Sequence, residues 1–179
     1  MIYTYIPYTP IERGKDLGWA YNNFMEHLKD DDWAIFLDHD AMFTTTYWYH
    51  QICEIIKFYP DAGELTGVTN RIGNPIQLVN NIDRDNHDIK YHRKIGLDLY
   101  NQRKLEVHEY TNRKWGLSGF VIVTSKKAWK AVGGFKSGFL GVDWDYTNRL
   151  WDKKIKTYIM GGVYLYHWYR GDGDTSHIK

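Results

Sequence analysis

The chain carries a single cysteine, Cys53, in 179 residues. One thiol forms neither an internal disulfide nor a Cys-based zinc site, so disulfide-stapled scaffolds and zinc fingers are excluded. No apolar stretch approaches the roughly 20 residues that span a bilayer, and no membrane span is expected. An excess of one charge is absent as well. The 23 Lys and Arg balance 22 Asp and Glu to a net +1, which leaves no global field to draw the chain to nucleic acid or an anionic membrane. Neither the P-loop nor the dinucleotide glycine fingerprint occurs. Internal repeats, low-complexity segments and linkers are also missing. The opening Met1-Ile2-Tyr3-Thr4-Tyr5-Ile6 reads as a strand rather than a signal peptide, so the cytoplasm is the default location.

What is present describes a globular protein. Hydrophobic residues make up 43% and charged residues 25%, the balance of a soluble domain. The length predicts one domain over 1–179 with room for a real core. Aromatic residues are abundant, at 17% with 15 Tyr and 8 Trp. Such rings either pack the core or stack on sugars and bases.

Hydrophobic periodicity orders the elements. A strand is expected over 2–6, stopped by Pro7-Tyr8-Thr9-Pro10. A helix follows over 15–29, where Leu17, Ala20, Tyr21, Phe24, Met25 and Leu28 recur at three and four. The next strand is 33–37. Thr44-Thr45-Thr46 offers caps for a helix over 46–58. Strand 62–70 comes next, and the polar stretch 71–113 holds one helix near 87–104. Trp115 to Thr124 reads as a strand, and Ser125 caps a helix over 125–131 that ends at Gly133-Gly134. A helix from Asp143 or Asp145 to about Lys153 precedes strands near 155–160 and 163–168. The polar tail from Arg170 is expected to be mobile. Strands alternating with helices predict an α/β fold with a mainly parallel central sheet flanked by helices.

Asp38-His39-Asp40 follows the apolar run Trp33-Ala34-Ile35-Phe36-Leu37. Side chains two apart on an extended segment point the same way. Two converging carboxylates repel unless a cation lies between them. Hard oxygen ligands suit Mg²⁺ or Mn²⁺, and such ions are commonly shared with substrate phosphates. An isolated D-x-D is also an ordinary surface turn. The strand in front favours the site, because ligands of α/β sheets bind beyond the carboxyl ends of strands.

A second constellation runs from Gly133-Gly134-Phe135 through Gly138 and Gly141 to Asp143-Trp144-Asp145 and Arg149. Here a glycine loop leads into an acidic helix start. Asp143 or Asp145 caps that helix, or Asp143 is a base toward an acceptor hydroxyl. Asp145 and Arg149, four apart, form a helical ion pair. Trp144 and Trp115 are the candidates for stacking on an acceptor sugar. His167, at the end of the last strand, is a structural residue or the third ligand that completes a two-Asp metal site. The remaining histidines show no metal-ligand spacing.

Taken in order, these blocks resemble the GT-A glycosyltransferases of the family-2 or polypeptide GalNAc-transferase sort. The resemblance rests on Leu17 to Asp40, on Ser118-Gly119 through Gly133-Gly134-Phe135 to Asp143-Trp144-Asp145-Tyr146 and Arg149, and on His167. It covers somewhat over half the chain. It implies a single GT-A, Rossmann-like domain and transfer of a sugar from a nucleoside-diphosphate sugar, with a UDP-sugar favoured. The acceptor would be a hydroxyl such as a glycan's. Asp40 would hold the metal, Asp38 would contact the metal or the donor ribose, and His167 would be the late metal ligand. His39 would belong to the same donor-side corner. Pro7 and Tyr8 would flank the nucleobase, Arg13 or Lys15 would touch the diphosphate, and Asp143 would be the base of an inverting enzyme. In a retaining enzyme Asp143 would instead orient the sugar. Three departures accompany the resemblance. Only about ten residues separate Ile6 from the first helix, Val142 stands where a Glu is common, and 71–113 has no counterpart. Two other readings remain open: a nucleotidyltransferase and a non-catalytic carbohydrate-binding module.

Overall fold

The computed structural model describes residues 1–169; the tail expected to be mobile lies outside the described residues. Seven strands form one sheet: β1 (Ile2–Tyr5), β2 (Trp33–Leu37), β3 (Ala41–Phe43), β4 (Glu64–Thr69), β5 (Val107–Tyr110), β6 (Val121–Ser125) and β7 (Thr157–His167). Five helices accompany them: α1 (Leu17–Glu26), α2 (Trp48–Phe58), α3 (Ile89–Arg103), α4 (Lys126–Val132) and α5 (Val142–Asp152). The strand order is β1-β2-β6-β4-β7-β3, with β5 also pairing β7.

The architecture is mixed α/β. Parallel pairing holds for β1 with β2 and for β4 with β7. The other pairings are antiparallel, because β6 enters between β2 and β4 against both, and β3 and β5 run against β7. The expected parallel dominance is therefore met only in part. An apolar run marks a buried strand but carries no sign of its direction.

Alternation along the central strands sorts the core into two faces. Trp33, Ile35, Val121 and Val123 pack with Leu65, Leu165 and the α2 residues Ile52 and Ile55. Ala34, Phe36 and Ile122 pack on the opposite face with Tyr21, Met25, Phe135, Tyr146 and Leu150. A smaller cluster of Val68, Tyr110, Leu117, Ile159 and Tyr164 includes Ile95 and Leu99 of α3.

Several boundaries move for local reasons. The two strands expected at the end are one strand, β7, although Gly161 and Gly162 sit inside it. A Cβ on Gly162 would lie 2.2 Å from the Arg103 carbonyl oxygen, so that glycine makes room for the end of α3 rather than a turn. The threonines do not cap α2; Tyr47 precedes it, and the Thr44 hydroxyl donates to the Tyr164 carbonyl instead (2.8 Å). The strand expected from Trp115 begins only at Val121, because the preceding amides bond to side chains. Ser118 N–H donates to Gln77 Oε1 and Gly119 N–H to Asp143 Oδ2, each at 2.8 Å. Helix α5 opens at Val142 after Gly141, and neither Asp143 nor Asp145 caps it.

The glycine loop is latched to α1. Asn22 Oδ1 accepts from Phe135 N–H and Trp129 Nε1–H, and Asn22 Nδ2 donates to the Phe135 carbonyl, all at 2.8 Å. Asp16, the α1 cap, also holds Ser137 and the Gly138 amide. Asn22→Ala strands two donors and one acceptor at once. At about 1 kcal/mol or more for each stranded group, its melting temperature is expected to fall by roughly 5–10 °C. Calorimetry checks this, and an unchanged transition would mean that the latch does not hold the loop.

Candidate functional site

The chain leaves β2 at Leu37, and Asp38 N–H donates to the Phe120 carbonyl (3.0 Å). Ala41 N–H turns back to the Asp38 carbonyl (3.1 Å). This tight corner feeds β3, whose register sets Ala41 opposite His167 of β7. The register therefore brings the D-x-D corner to a histidine 127 residues away from Asp40. Its imidazole Nε2 lies 3.2 Å from Asp40 Oδ1 and 4.0 Å from Asp38 Oδ2. One ligand atom from each residue falls within 4.8 Å of the others.

His167 is fixed from behind. It is 2% exposed; its N–H donates to Asn70 Oδ1 (2.8 Å), and its Nδ1 faces the Arg71 carbonyl (2.9 Å). A carbonyl only accepts, so Nδ1 carries a proton, and Nε2 is the ring atom turned to the carboxylates. A ring nitrogen and carboxylate oxygens at this range call for a proton or a cation between them. Two carboxylates and one imidazole form a hard, borderline-nitrogen donor set that suits Mn²⁺ or Mg²⁺.

Charge at the corner follows from burial. Burial pushes the Asp38 carboxyl up to about 6, and the charges of Asp40 and Asp143 push the same way against His167. Asp38 still shows 34% of its side chain to the cleft, so an ion can reach it. Burial also pushes Asp40 up. There, however, the hydrogen bond and charge of His167 prevail, and Asp40 stays below the ordinary carboxylate value.

Asp143 stands on the first turn of α5. Its Oδ2 accepts from Gly119 N–H (2.8 Å) and its Oδ1 from Trp144 N–H (2.9 Å). Burial raises its affinity for a proton, while the two backbone amides oppose that shift. Only glycine fits at 119, where a Cβ would lie 2.9 Å from Asp143 Cβ. Trp144 rests its indole on Gly116, where a Cβ would sit 1.8 Å from the ring. Half of its surface is exposed (50%).

A cleft of about 470 Å³ joins these parts. Asp38, His39, Asp40, His167 and Asp143 line it together with Pro7 and Lys15. Tyr8, Arg13, Trp115 and Trp144 are not among its lining residues. Tyr8 is exposed on the strand-one loop, and Arg13 lies over the Trp19 ring at 5.0 Å. Asp145 pairs with Arg149 on the helix surface (2.7 Å), as the four-residue spacing predicts.

No family model matches this chain, and no curated protein matches it. The resemblance read from its motifs thus rests on the residues themselves. Among the described residues no helix is long and apolar enough to cross a membrane.

Two residues at the site escape the sequence. Tyr21 lines the cleft floor, 1% exposed, with its ring against Phe36 (4.5 Å) and Phe135 (4.7 Å). Its place in an apolar helical stripe gave no sign that its hydroxyl feels the charges of Asp38 and Asp143. Asn70, at the end of β4, holds the His167 amide and donates to the Arg84 carbonyl (3.3 Å). Nothing in a strand pattern marks such a residue.

Proposed function

We propose that the chain is a metal-dependent glycosyltransferase of GT-A type, with 1–179 as one domain. The donor is a nucleoside-diphosphate sugar, with a UDP-sugar favoured, and the acceptor is a hydroxyl such as a glycan's. The cytoplasm is its proposed compartment. One observation carries the reading: the Asp38, Asp40 and His167 ligand group shares a single cleft with the half-buried, amide-held carboxyl of Asp143.

Asp40, Asp38 and His167 would hold Mn²⁺ or Mg²⁺. When bound, the ion neutralises the charge that develops on the leaving diphosphate, an effect of several kcal/mol. Lys15 and Pro7 line the donor side of the cleft, and His39 is the spacer at the corner. Asp143, turned toward the cleft by two amide bonds, takes the acceptor proton, a contribution of roughly 10²–10⁴-fold. Its raised proton affinity suits that role, because a base must want the proton that it removes. Trp144, next to it in the chain and half exposed, is the proposed contact for the acceptor.

A thermal-shift screen of UDP, GDP, ADP and CMP, each with and without Mn²⁺, tests the reading. A ligand that binds only the folded state raises the melting temperature, by about 2.7 kcal/mol of stability at a hundredfold excess over Kd. The expected result is a shift with UDP that needs Mn²⁺. If none of the nucleotides gives a Mn²⁺-dependent shift, the reading fails, and sugar binding that EDTA leaves intact points instead to a carbohydrate-binding module.

A further inference from the structure

Glu64 opens β4 with no exposed surface, and its carboxyl has no role in the chemistry above. Glu64 Oε2 lies 2.8 Å from Thr147 Oγ1, and Oε1 has no hydrogen-bond partner among the described residues. The same Thr147 Oγ1 lies 3.0 Å from the backbone carbonyl of Asp143. A hydroxyl has one proton and can donate it to only one of these two oxygens. If Glu64 is ionised, both oxygens compete for that proton. If Glu64 is protonated, its O–H donates to Thr147, and Thr147 donates to Asp143, so every proton has an acceptor.

Among the described residues, none offers a cation to an ionised Glu64. From α5 it meets Thr147, Tyr146 and the Asp143 carboxylate; from α1 it feels Tyr21. Its partner across β7 is Thr157, whose hydroxyl is committed to the Tyr110 carbonyl and the Trp151 indole N–H. Arg149, the nearby cation of α5, is committed to Asp145 and to the Val132 carbonyl.

We propose that Glu64 is a positioning residue for Asp143 and works as a neutral acid, its proton passing the hold through Thr147 to the turn that carries Asp143. Burial and the nearby Asp143 charge push Glu64 up to about 8, against the Thr147 bond, which agrees with the proton count. The coupling is reciprocal. Ionisation of Glu64 places a second negative charge behind Asp143 and raises its proton affinity in turn. On the proposed function, the proton on Glu64 sets the charge of the base and bounds the alkaline side of its working range.

The test follows the carboxyl carbons of ¹³C-labelled protein by NMR from pH 4 to 9.5, in the wild type and in Glu64→Gln. The amide of Gln supplies the donor that the neutral acid supplies, so the variant keeps the Thr147 chain. Glu64 is expected to remain protonated at pH 7. The Asp143 signal should show a second step where Glu64 ionises, and that step should vanish in Glu64→Gln. An ordinary carboxylate value for Glu64, or the same Asp143 curve in both proteins, overturns the proposal.

Stability gives an independent reading. A carboxyl raised on folding lends stability that is complete below its unfolded value, 4.5, and is lost as pH rises through the folded one. The wild type should therefore fall behind Glu64→Gln by roughly 5–10 °C in melting temperature between pH 5 and 8.5. Parallel curves overturn the proposal. Neither readout requires transfer, so both stand or fall separately from the activity proposed for the cleft.

Discussion

On the proposed function, Asp40→Ala is expected to abolish the Mn²⁺-dependent thermal shift with UDP and to remove sugar transfer. Asp40 is the carboxylate nearest the imidazole, at 3.2 Å, and the one held below the ordinary carboxylate value. It is therefore ionised across the neutral range and ready to bind a cation. Loss of a partner that merely orients a ligand costs roughly 10–100-fold in metal affinity, so loss of the ligand itself is expected to exceed about 100-fold. Transfer loses the several kcal/mol that the ion contributes to the leaving group, about 10³-fold or more. Titration calorimetry with Mn²⁺ reads the first effect and a donor-hydrolysis or transfer assay the second. Folding should survive, because the side chain faces the cleft and its removal leaves the Trp168 amide bond to the Asp40 carbonyl in place (3.0 Å). Undiminished Mn²⁺ binding in the variant would take Asp40 out of the site.

Asp143→Asn gives the opposite dissociation. The amide oxygen keeps one acceptor for the Gly119 or Trp144 amide, so the turn keeps part of its hold. The carboxylate proposed to take the acceptor proton is gone. The expected outcome is an undiminished Mn²⁺–UDP thermal shift with transfer lowered by about 10²–10⁴-fold. Because the loss lies in a step after donor binding, it should appear in kcat at saturating donor rather than in donor KM. Retained transfer removes Asp143 as the base and leaves it an orienting role, as a retaining enzyme requires. Loss of the thermal shift would mean that Asp143 helps to hold the donor or the ion.

The parts of the site that were legible are those built from local sequence. The apolar run 33–37 is a strand, the D-x-D corner follows it, and α1, α3 and α4 fall within two or three residues of their expected ends. Ser125 caps α4 as expected, its hydroxyl accepting from Ala128 N–H (3.1 Å). What was lost depended on partners distant in the chain. Strand β3 has three residues, too few for any period to show, and it exists because the end of β7 is there to pair with it. Strand β5 lies in a polar stretch and is likewise defined by β7. Glycine ordinarily marks a break, yet Gly161 and Gly162 serve close approach inside a continuous strand. Asp143 reads as a helix cap because capping is a local rule. Its real partner, the Gly119 amide, is 24 residues away. His167 was nameable as a third ligand, but only the β3–β7 register explains why it meets Asp40.

That register also divides the labour among the three candidate ligands. His167 ends an 11-residue strand, wholly buried, and is tied at both its amide and its far ring nitrogen. Asp38 and Asp40 sit on a corner with open side chains. On the proposed reading, the imidazole is a fixed post and the carboxylates are the adjustable arms. Mg²⁺ demands near-ideal octahedral distances and parts with its water reluctantly, whereas Mn²⁺ takes imidazole more readily. On that reading, a centre with one immovable nitrogen would select its ion by tolerance rather than by strength, and Mn²⁺ is the ion it would suit.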